Sequence, residues 1–172
     1  MLKIIGASLI IIAFTLVGFH FAQRLSQRTK QLREIQMDLQ MLETEISYSS
    51  TPLEAAFRKI SKTNKGVIGE LFYRCTHYLE TLDGATTFEC WDLALEEVSS
   101  KLALKPIEIE WLHHFGKTIG NSDRLDQTKH LQLMMTKFKQ AEVEAREEQL
   151  KQERMYKTLG FLTGALIVII LL

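Results

Sequence analysis

The sequence is poor in residues that break regular structure or cross-link a chain. Its 172 residues include two prolines and two cysteines, Cys75 and Cys90. So few cysteines argue against a disulfide scaffold and for a reducing compartment. Lys plus Arg and Asp plus Glu number 21 each, so the net charge gives no reason to expect nucleic acid as a partner. Sustained alternation of apolar and polar residues is also missing, which argues against strands and favours an all-α fold.

An uncharged apolar segment near the N-terminus predicts a transmembrane helix over residues 4–22. Nineteen residues at about 1.5 Å each reach roughly 28 Å, close to the hydrocarbon thickness of a bilayer. A cleaved signal peptide is the alternative interpretation. Bulky Phe19 and Phe21 flank His20 where a signal peptidase requires small residues, so we favour a retained span.

A second apolar segment, Leu159–Leu172, follows at the other end of the chain. On its own it reaches only about 21 Å. We therefore extend the predicted transmembrane helix to residues 155–172, with Lys157 placing its ammonium group among the lipid headgroups. The residues between the two spans, 25–154, form the predicted soluble domain.

Basic residues next to the spans predict the orientation. Seven of them lie on the side of the middle domain, and only Lys3 lies on the other. Because positive charge is retained on the cytoplasmic side, we expect a two-pass protein with a cytoplasmic middle domain and short termini across the membrane. The seven residues are Arg24, Arg28, Lys30, Arg33, Lys151, Arg154 and Lys157.

Small residues in both spans are candidates for close helix packing. Gly18 and Ala22 lie four residues apart, as do Gly160 and Gly164. Such pairs allow two helix backbones to approach closely in lipid. Glycine is also simply common in membrane helices, so one pair per helix leaves both interpretations open.

The soluble domain begins and ends with amphipathic stripes. Apolar residues recur at spacings of three and four after the first span and again before the second, which predicts two long helices packed antiparallel as a stem. The stripes comprise Leu32, Ile35, Leu39, Leu42 and Ile46, and then Leu131, Met134, Phe138, Ala141 and Ala145.

Four shorter helices are predicted between the stem helices, giving a bundle of about six helices in all. Thr51 and Pro52 predict the N-cap and first position of one helix, and Gly66 separates it from the next. Thr87 predicts the cap of a third helix, and Pro106 the start of a fourth. Asn121 or Ser122 is the expected cap of the final long helix.

No constellation of residues predicts catalysis, a cofactor or a metal. Cys75, His77, Cys90 and the pair His113-His114 lack any recurring metal-ligand spacing. Gly116-Lys117-Thr118 resembles the end of a phosphate-binding loop, but Trp111 stands where that loop requires its first glycine. We therefore expect a protein that is not an enzyme.

Short segments along the whole chain form a recognisable series. They are Gln31–Arg33, Leu39–Ile46, Tyr48, Thr51–Ala56, Trp91, Phe115–Asp123, Gln127–His130 and Lys157–Gly164. Each is weak alone, but their order, with a span at each end, is specific and resembles the stage III sporulation protein AB family of endospore-forming bacteria.

This resemblance implies a function that composition and spacing do not. The soluble domain of that family is similar to the cytoplasmic domains of the platform (F) protein of type II secretion and type IV pilus machines. It implies a scaffold in the mother-cell membrane around the forespore, within a secretion-like complex. It also implies an ATPase partner of the stage III sporulation protein AA type, other membrane subunits, and homo-oligomers in the assembled complex. No catalytic residues come with it.

Partner docking is predicted at the turns of the cap farthest from the membrane. The main candidate is the turn containing Gly116, Gly120, Asn121 and Asp123, and the turns 48–52 and 83–87 are the others. Close helix packing plus a helix cap is the competing interpretation of the two glycines.

Two other functions are consistent with the same residues. One is a self-assembling membrane stalk, in which the apolar stripes pair between chains. The other is a membrane-bound sensor or enzyme with a helical ligand pocket, for which Trp91, His113 and His114 are the candidate residues.

Overall fold

Six helices account for nearly all of the described chain. The computed structural model describes residues 2–48, 51–120 and 124–171, and no strand occurs within these ranges. The predicted all-α fold is thus confirmed. The helices are α1 (Leu2–Ser47), α2 (Leu53–Thr63), α3 (Val67–Thr81), α4 (Thr87–Ser99), α5 (Pro106–Ile119) and α6 (Arg124–Leu171).

The chain divides into two compact units. One comprises Met1–Thr29 with Val143–Leu172, and the other comprises Lys30–Glu142. Helices α1 and α6 contribute to both, because neither is interrupted where its apolar end gives way to its polar part.

In the larger unit, α1 and α6 pack antiparallel. Side-chain hydrogen bonds show this direction, because residue numbers increase along α1 as those of their partners on α6 decrease. The pairs are Arg33 with Glu142, Glu43 with Gln132, and Ser47 with Thr128. All ten residues of the two predicted stripes are buried. The sequence pattern therefore identified the contact face of each helix correctly.

Four aromatic rings form the centre of the larger unit. Trp91 of α4 contacts Phe72 of α3 and Phe115 of α5, with ring centroids 5.3 and 5.0 Å apart. Phe57 of α2 lies 5.2 Å from Phe72 by the same measure. The indole N–H of Trp91 donates a 2.8 Å hydrogen bond to the carbonyl of Leu112, so this buried donor is satisfied.

Helix starts were predicted only in part. Pro106 opens α5 as expected. Thr51, however, does not cap α2: its hydroxyl donates to Glu45 of α1 instead, and the N-cap position is Pro52. Helix α4 is capped by Thr86, not by Thr87, because Thr86 and Glu89 form a reciprocal capping box. The predicted caps Asn121 and Ser122 lie outside the described residues.

In the smaller unit, the apolar ends of α1 and α6 also pack antiparallel. The rings of Phe21 and Tyr156 stack with centroids 5.8 Å apart, and Arg28 donates a 2.6 Å hydrogen bond to Glu148. Among the described helices, only α1, over Ser8–Ser47, meets the length and composition expected of a membrane span. Its most apolar 18-residue window is 11% buried, as suits a helix that faces lipid.

Candidate docking surface

Two of the turns predicted to dock a partner lie side by side. An ideal Cβ built on Gly120, at the end of α5, would lie 2.9 Å from Cβ of Thr87 at the start of α4. One turn earlier, the ammonium group of Lys117 lies 5.5 Å from the ring centroid of Phe88. The start of α4 and the end of α5 therefore form one continuous surface.

Gly116 does not belong to this surface. It is buried within α5, where an added Cβ would come within 2.2 Å of the indole Cδ1 of Trp91. Gly120 is exposed and ends the helix with ordinary right-handed backbone angles. Asn121 and Asp123 lie outside the described residues, and docking at this turn stays a prediction.

A side-chain hydrogen bond links the first turn of α6 to the last turn of α5. Nε2 of Gln127, in the first turn of α6, donates a 2.8 Å hydrogen bond to the carbonyl of Ile119. That carbonyl lies in the last turn of α5, where helix geometry leaves an acceptor without an intrahelical partner. The bond fixes the start of α6 against the end of α5.

The third predicted turn follows α1. Tyr48 is 87% exposed, which is unusual for so large an aromatic side chain. Ser47 shares a 3.2 Å hydrogen bond with Thr128 of α6, so the end of α1 lies beside the beginning of α6. Residues 49 and 50 lie outside the described ranges.

An open groove of about 670 Å³ lies along the turn between α3 and α4. Leu82 and Leu93 are 40% and 43% exposed there, and they supply apolar surface together with Ala85 and Phe88. The turn depends on Gly84, which has a φ of 78°. Any residue with a side chain would be strained in this left-handed backbone conformation. The full lining is Thr81, Leu82, Asp83, Gly84, Ala85, Phe88, Glu89, Asp92 and Leu93.

Three carboxylates line this groove, and none of them pairs with a lysine or an arginine of the described chain. Glu89 accepts from the backbone N–H and the hydroxyl of Thr86, and these bonds lower the pKa of its carboxyl. Asp92 lies 2.5 Å from Nδ1 of His113. Asp83 has no partner among the residues that the structure describes. The groove is therefore apolar within and acidic at its edge.

Several other carboxylates of the larger unit do pair with basic residues of the chain. Glu70 accepts from Lys101 and from Arg74, and these partners lower the pKa of its carboxyl. Glu97 is paired with Arg74, and Glu80 with Arg58.

A buried carboxyl that the sequence did not reveal links α1 to the loop before α3. Asp38 accepts a 2.7 Å hydrogen bond from Nδ2 of Asn64, whose own Oδ1 accepts from the N–H of Gly66. Burial raises the pKa of Asp38 to about 7, against the opposing effect of the Asn64 bond and with a further increase from the nearby Glu34. Periodicity places position 38 beside the apolar stripe but does not identify its partner.

Gln31 is a second polar contact that the sequence did not reveal. Its side chain accepts a 2.7 Å hydrogen bond from the N–H of Ala103 and donates a 3.3 Å bond to the carbonyl of Lys101. These two groups belong to the segment between α4 and α5, which has no helix of its own to satisfy them. The side-chain amide of Gln31 supplies the hydrogen bonds that a helix would otherwise provide to these two backbone groups.

The residues named for a ligand pocket do not converge. Trp91 is fully buried with its N–H engaged, His113 contacts Asp92, and His114 is exposed. Cys75 and Cys90 are free and buried, and burial raises the pKa of both thiols. Within the described residues no group of three or more His, Cys, Asp or Glu side chains could hold a metal ion.

The small residues of the apolar ends lie partly at a helix contact. Gly164 is buried in α6, with its ideal Cβ 3.0 Å from Cα of Ile11 and 3.3 Å from Cβ of Phe14 on α1. Gly18 and Ala22 are buried on α1 as well. The surroundings of Gly160 lie outside what the structure describes.

Three comparisons with known proteins agree with one another. The family model described as stage III sporulation protein AB matches residues 3–172. The chain is 39% identical over 173 residues to the stage III sporulation protein AB of Bacillus subtilis (strain 168), with all of both chains covered. A solved structure of a stage III sporulation protein AB is similar with a TM-score of 0.68 and 34% identity, covering 73% of this chain and 98% of that one.

Proposed function

We propose a function that proceeds from one fact: this chain belongs to the stage III sporulation protein AB family. It is a sporulation protein with an all-helical fold and one candidate membrane helix. From this premise we infer a non-enzymatic platform subunit of a secretion-like complex in the mother-cell membrane around the forespore. The observation that carries the proposal is the match over the full chain, which includes both apolar ends.

The proposed topology is two-pass, with the middle domain in the cytoplasm. The apolar end of α6 supports a second span, because it stays helical to Leu171 and exposes large apolar side chains as a lipid-facing helix does. These exposed residues are Leu159, Leu162, Leu166 and Ile169. The basic residues beside both apolar segments support the cytoplasmic side for the domain.

The proposed role of the middle domain is to dock a cytoplasmic ATPase of the stage III sporulation protein AA type and other membrane subunits. The surface made by the start of α4 and the end of α5 supports this, because two separate predicted turns meet there. The exposed Lys117 provides a charge that can be reversed without disturbing the core.

A pull-down from detergent-solubilised sporulating cells tests the docking. We expect wild type to recover the ATPase and Lys117→Glu to recover much less of it, since a rim charge then opposes the partner. Lys139→Glu makes the same charge change at an exposed position of α6 and serves as the matched control. Equal recovery by both variants contradicts docking at this surface, and no recovery even by wild type contradicts a stable platform.

Thiol labelling tests the topology separately. Cys75 and Cys90 are buried thiols, so they give a low background with a reagent that does not cross membranes. When the protein is expressed in vegetative cells, where its membrane is the outermost one of a protoplast, we expect Ser100→Cys, in the exposed turn after α4, to stay unlabelled in intact protoplasts and a cysteine added after Leu172 to be labelled. Labelling of Ser100→Cys without permeabilisation would reverse the proposed orientation.

The self-assembling stalk is the weaker proposal. It requires free apolar stripes on α1 and α6, whereas Leu32, Leu39 and Phe138 are already buried within one chain. Pairing between chains would have to use other residues of these helices.

A further inference from the structure

We propose that the groove between α3 and α4 binds a basic amphipathic helix of a partner protein. This inference deepens the platform role proposed above and rests on it. The groove adjoins the Lys117 turn and shares Phe88 with it, and the inference assigns the chemistry of the partner.

The apolar part of the groove indicates that side chains are inserted into it. Leu82 and Leu93 are each at least 40% exposed, and Phe88 is half-buried between them and α5. A volume of about 670 Å³ falls within the range of sites that enclose side chains or ligands of moderate size. The anchors of an amphipathic helix, spaced three and four residues apart, are apolar side chains of the kind that an open apolar groove accepts.

The acidic edge decides the charge of the occupant. Asp83, Glu89 and Asp92 have no lysine or arginine partner in the described chain, so a purely apolar partner would desolvate carboxylates without compensation. A partner that carries lysine or arginine beside its apolar residues neutralises these carboxylates. Long-range electrostatic attraction also speeds its association with the groove. An acidic partner is repelled.

Glu89 also explains why the acidic edge is stable without a cation of its own. It belongs to the capping box of α4, and negative charge is favourable in the first helical turn. Asp83 precedes Gly84, whose positive φ defines the turn that lines the groove. The fold therefore maintains this charge in the absence of a partner.

Binding of a synthetic peptide to the full chain in detergent tests the proposal. The probe is a fluorescein-labelled 14-residue helical peptide with leucines at positions i, i+4 and i+7 and lysines beside them, followed by fluorescence polarisation. We expect the double variant Asp83→Lys, Leu93→Asp to bind at least about tenfold more weakly than wild type, equivalent to roughly 1.4 kcal/mol. A peptide with glutamate in place of lysine is expected to bind at least about tenfold more weakly to wild type.

The matched control is the double variant Glu96→Lys, Leu133→Asp. It makes the same kinds of change at exposed positions outside the groove lining, and we expect affinity within about twofold of wild type. Equal binding of the lysine and glutamate peptides, or an unchanged affinity of the groove variant, would overturn the proposal. So would self-association of wild type that the groove variant abolishes without any peptide binding, because a second copy would then cover the groove.

The two experiments distinguish failure of the platform proposal from failure of the groove proposal. If the lysine peptide binds as expected while wild type recovers no partner from sporulating cells, the groove stands and the platform proposal does not. If the partner is recovered and the lysine peptide does not bind, the platform stands and the groove does not.

Discussion

Gly116 of α5 lies directly beneath the indole ring of Trp91. An ideal Cβ at position 116 would approach Cδ1 of the ring to 2.2 Å, closer than any real contact between carbon atoms. The ring cannot retreat easily, because its N–H is bonded to the carbonyl of Leu112 and the ring also contacts Phe72 and Phe115. A glycine at this position is required by packing.

Gly116→Ala is therefore expected to destabilise the protein. Overpacking of a core costs about 1–3 kcal/mol and outweighs the gain of roughly 1 kcal/mol from the higher helix propensity of alanine. Thermal unfolding of the full chain in detergent, followed by circular dichroism, measures the change. Glu110→Ala, at an exposed position of α5, should change the stability by less than about 0.5 kcal/mol. A Tm at or above that of wild type would show that the indole moves aside at little cost.

Asp38→Asn should change how stability depends on pH. The pKa of Asp38 is about 7 in the folded protein, whereas an aspartate in the unfolded chain titrates near pH 4. Between these values the folded protein binds a proton that the unfolded chain has released. The contribution of Asp38 to stability therefore falls as pH rises from about 4 to 7, by at most roughly 1.4 kcal/mol per unit.

Asparagine keeps the oxygen that accepts from Asn64 but cannot lose a proton. We expect the variant to gain stability relative to wild type at pH 8 and to gain less at pH 5. The other charged groups lining this site, Lys30, Glu34 and Lys65, are unchanged in the comparison. Tm measurements at both values test this, with Glu96→Gln as an exposed control. An equal shift at pH 5 and pH 8 would mean that Asp38 does not titrate in this range.

Gln31→Ala should destabilise the larger unit by removing both bonds to the segment between α4 and α5. The N–H of Ala103 would be left without its acceptor, at a cost of about 1–3 kcal/mol. Gln31→Glu keeps an acceptor but loses the donor to Lys101, so an intermediate effect is expected. Gln40→Ala, at an exposed position of α1, is the control, and an equal loss in both alanine variants would point to helix propensity instead of these bonds.

Gly164→Leu should separate the apolar ends of α1 and α6. The ideal Cβ already lies 3.0 Å from the backbone of Ile11, and a backbone atom cannot rotate away. A cysteine pair replacing the stacked Phe21 and Tyr156 reports the contact by the yield of disulfide on oxidation. We expect a lower yield with Gly164→Leu and no change with Thr163→Leu, which is exposed. An unchanged yield in both would argue against close packing at Gly164.

The regular parts of this fold could be predicted because they follow from local patterns. The stripes of α1 and α6 fix which residues are buried, since a spacing of three and four leaves one face apolar. Pro106 could begin α5 because its fixed φ and missing N–H suit only that position. The caps of α2 and α4 were predicted one residue away or with the wrong partner. At α4, the adjacent Thr86 and Thr87 are equally plausible N-caps from sequence alone. At α2, the hydroxyl of Thr51 bonds to Glu45 of α1 and does not cap the helix.

The contacts that depend on distant residues could not be predicted. Nothing near Gln31 in the chain indicates Ala103, and nothing near Gly116 indicates Trp91. The turn 83–87 was predicted as a docking candidate, but the groove beside it was not, because Asp83, Glu89 and Asp92 share one lining only in three dimensions. Gly84 is the local signal for this turn.

The pairing of α1 with α6 has a consequence for the order in which the protein is made. Each of the helices α2 to α5 contacts the next one in the chain, so they can fold cotranslationally. The positions of α1 that bond to α6 lack these partners until α6 has been synthesised, roughly 6–25 s after α1. Until then the nascent chain exposes this face of α1, an aggregation-prone surface, in addition to its apolar N-terminal segment. We expect the last fifty residues to act as the closing step of folding, and a truncated chain without them to be cleared by proteases.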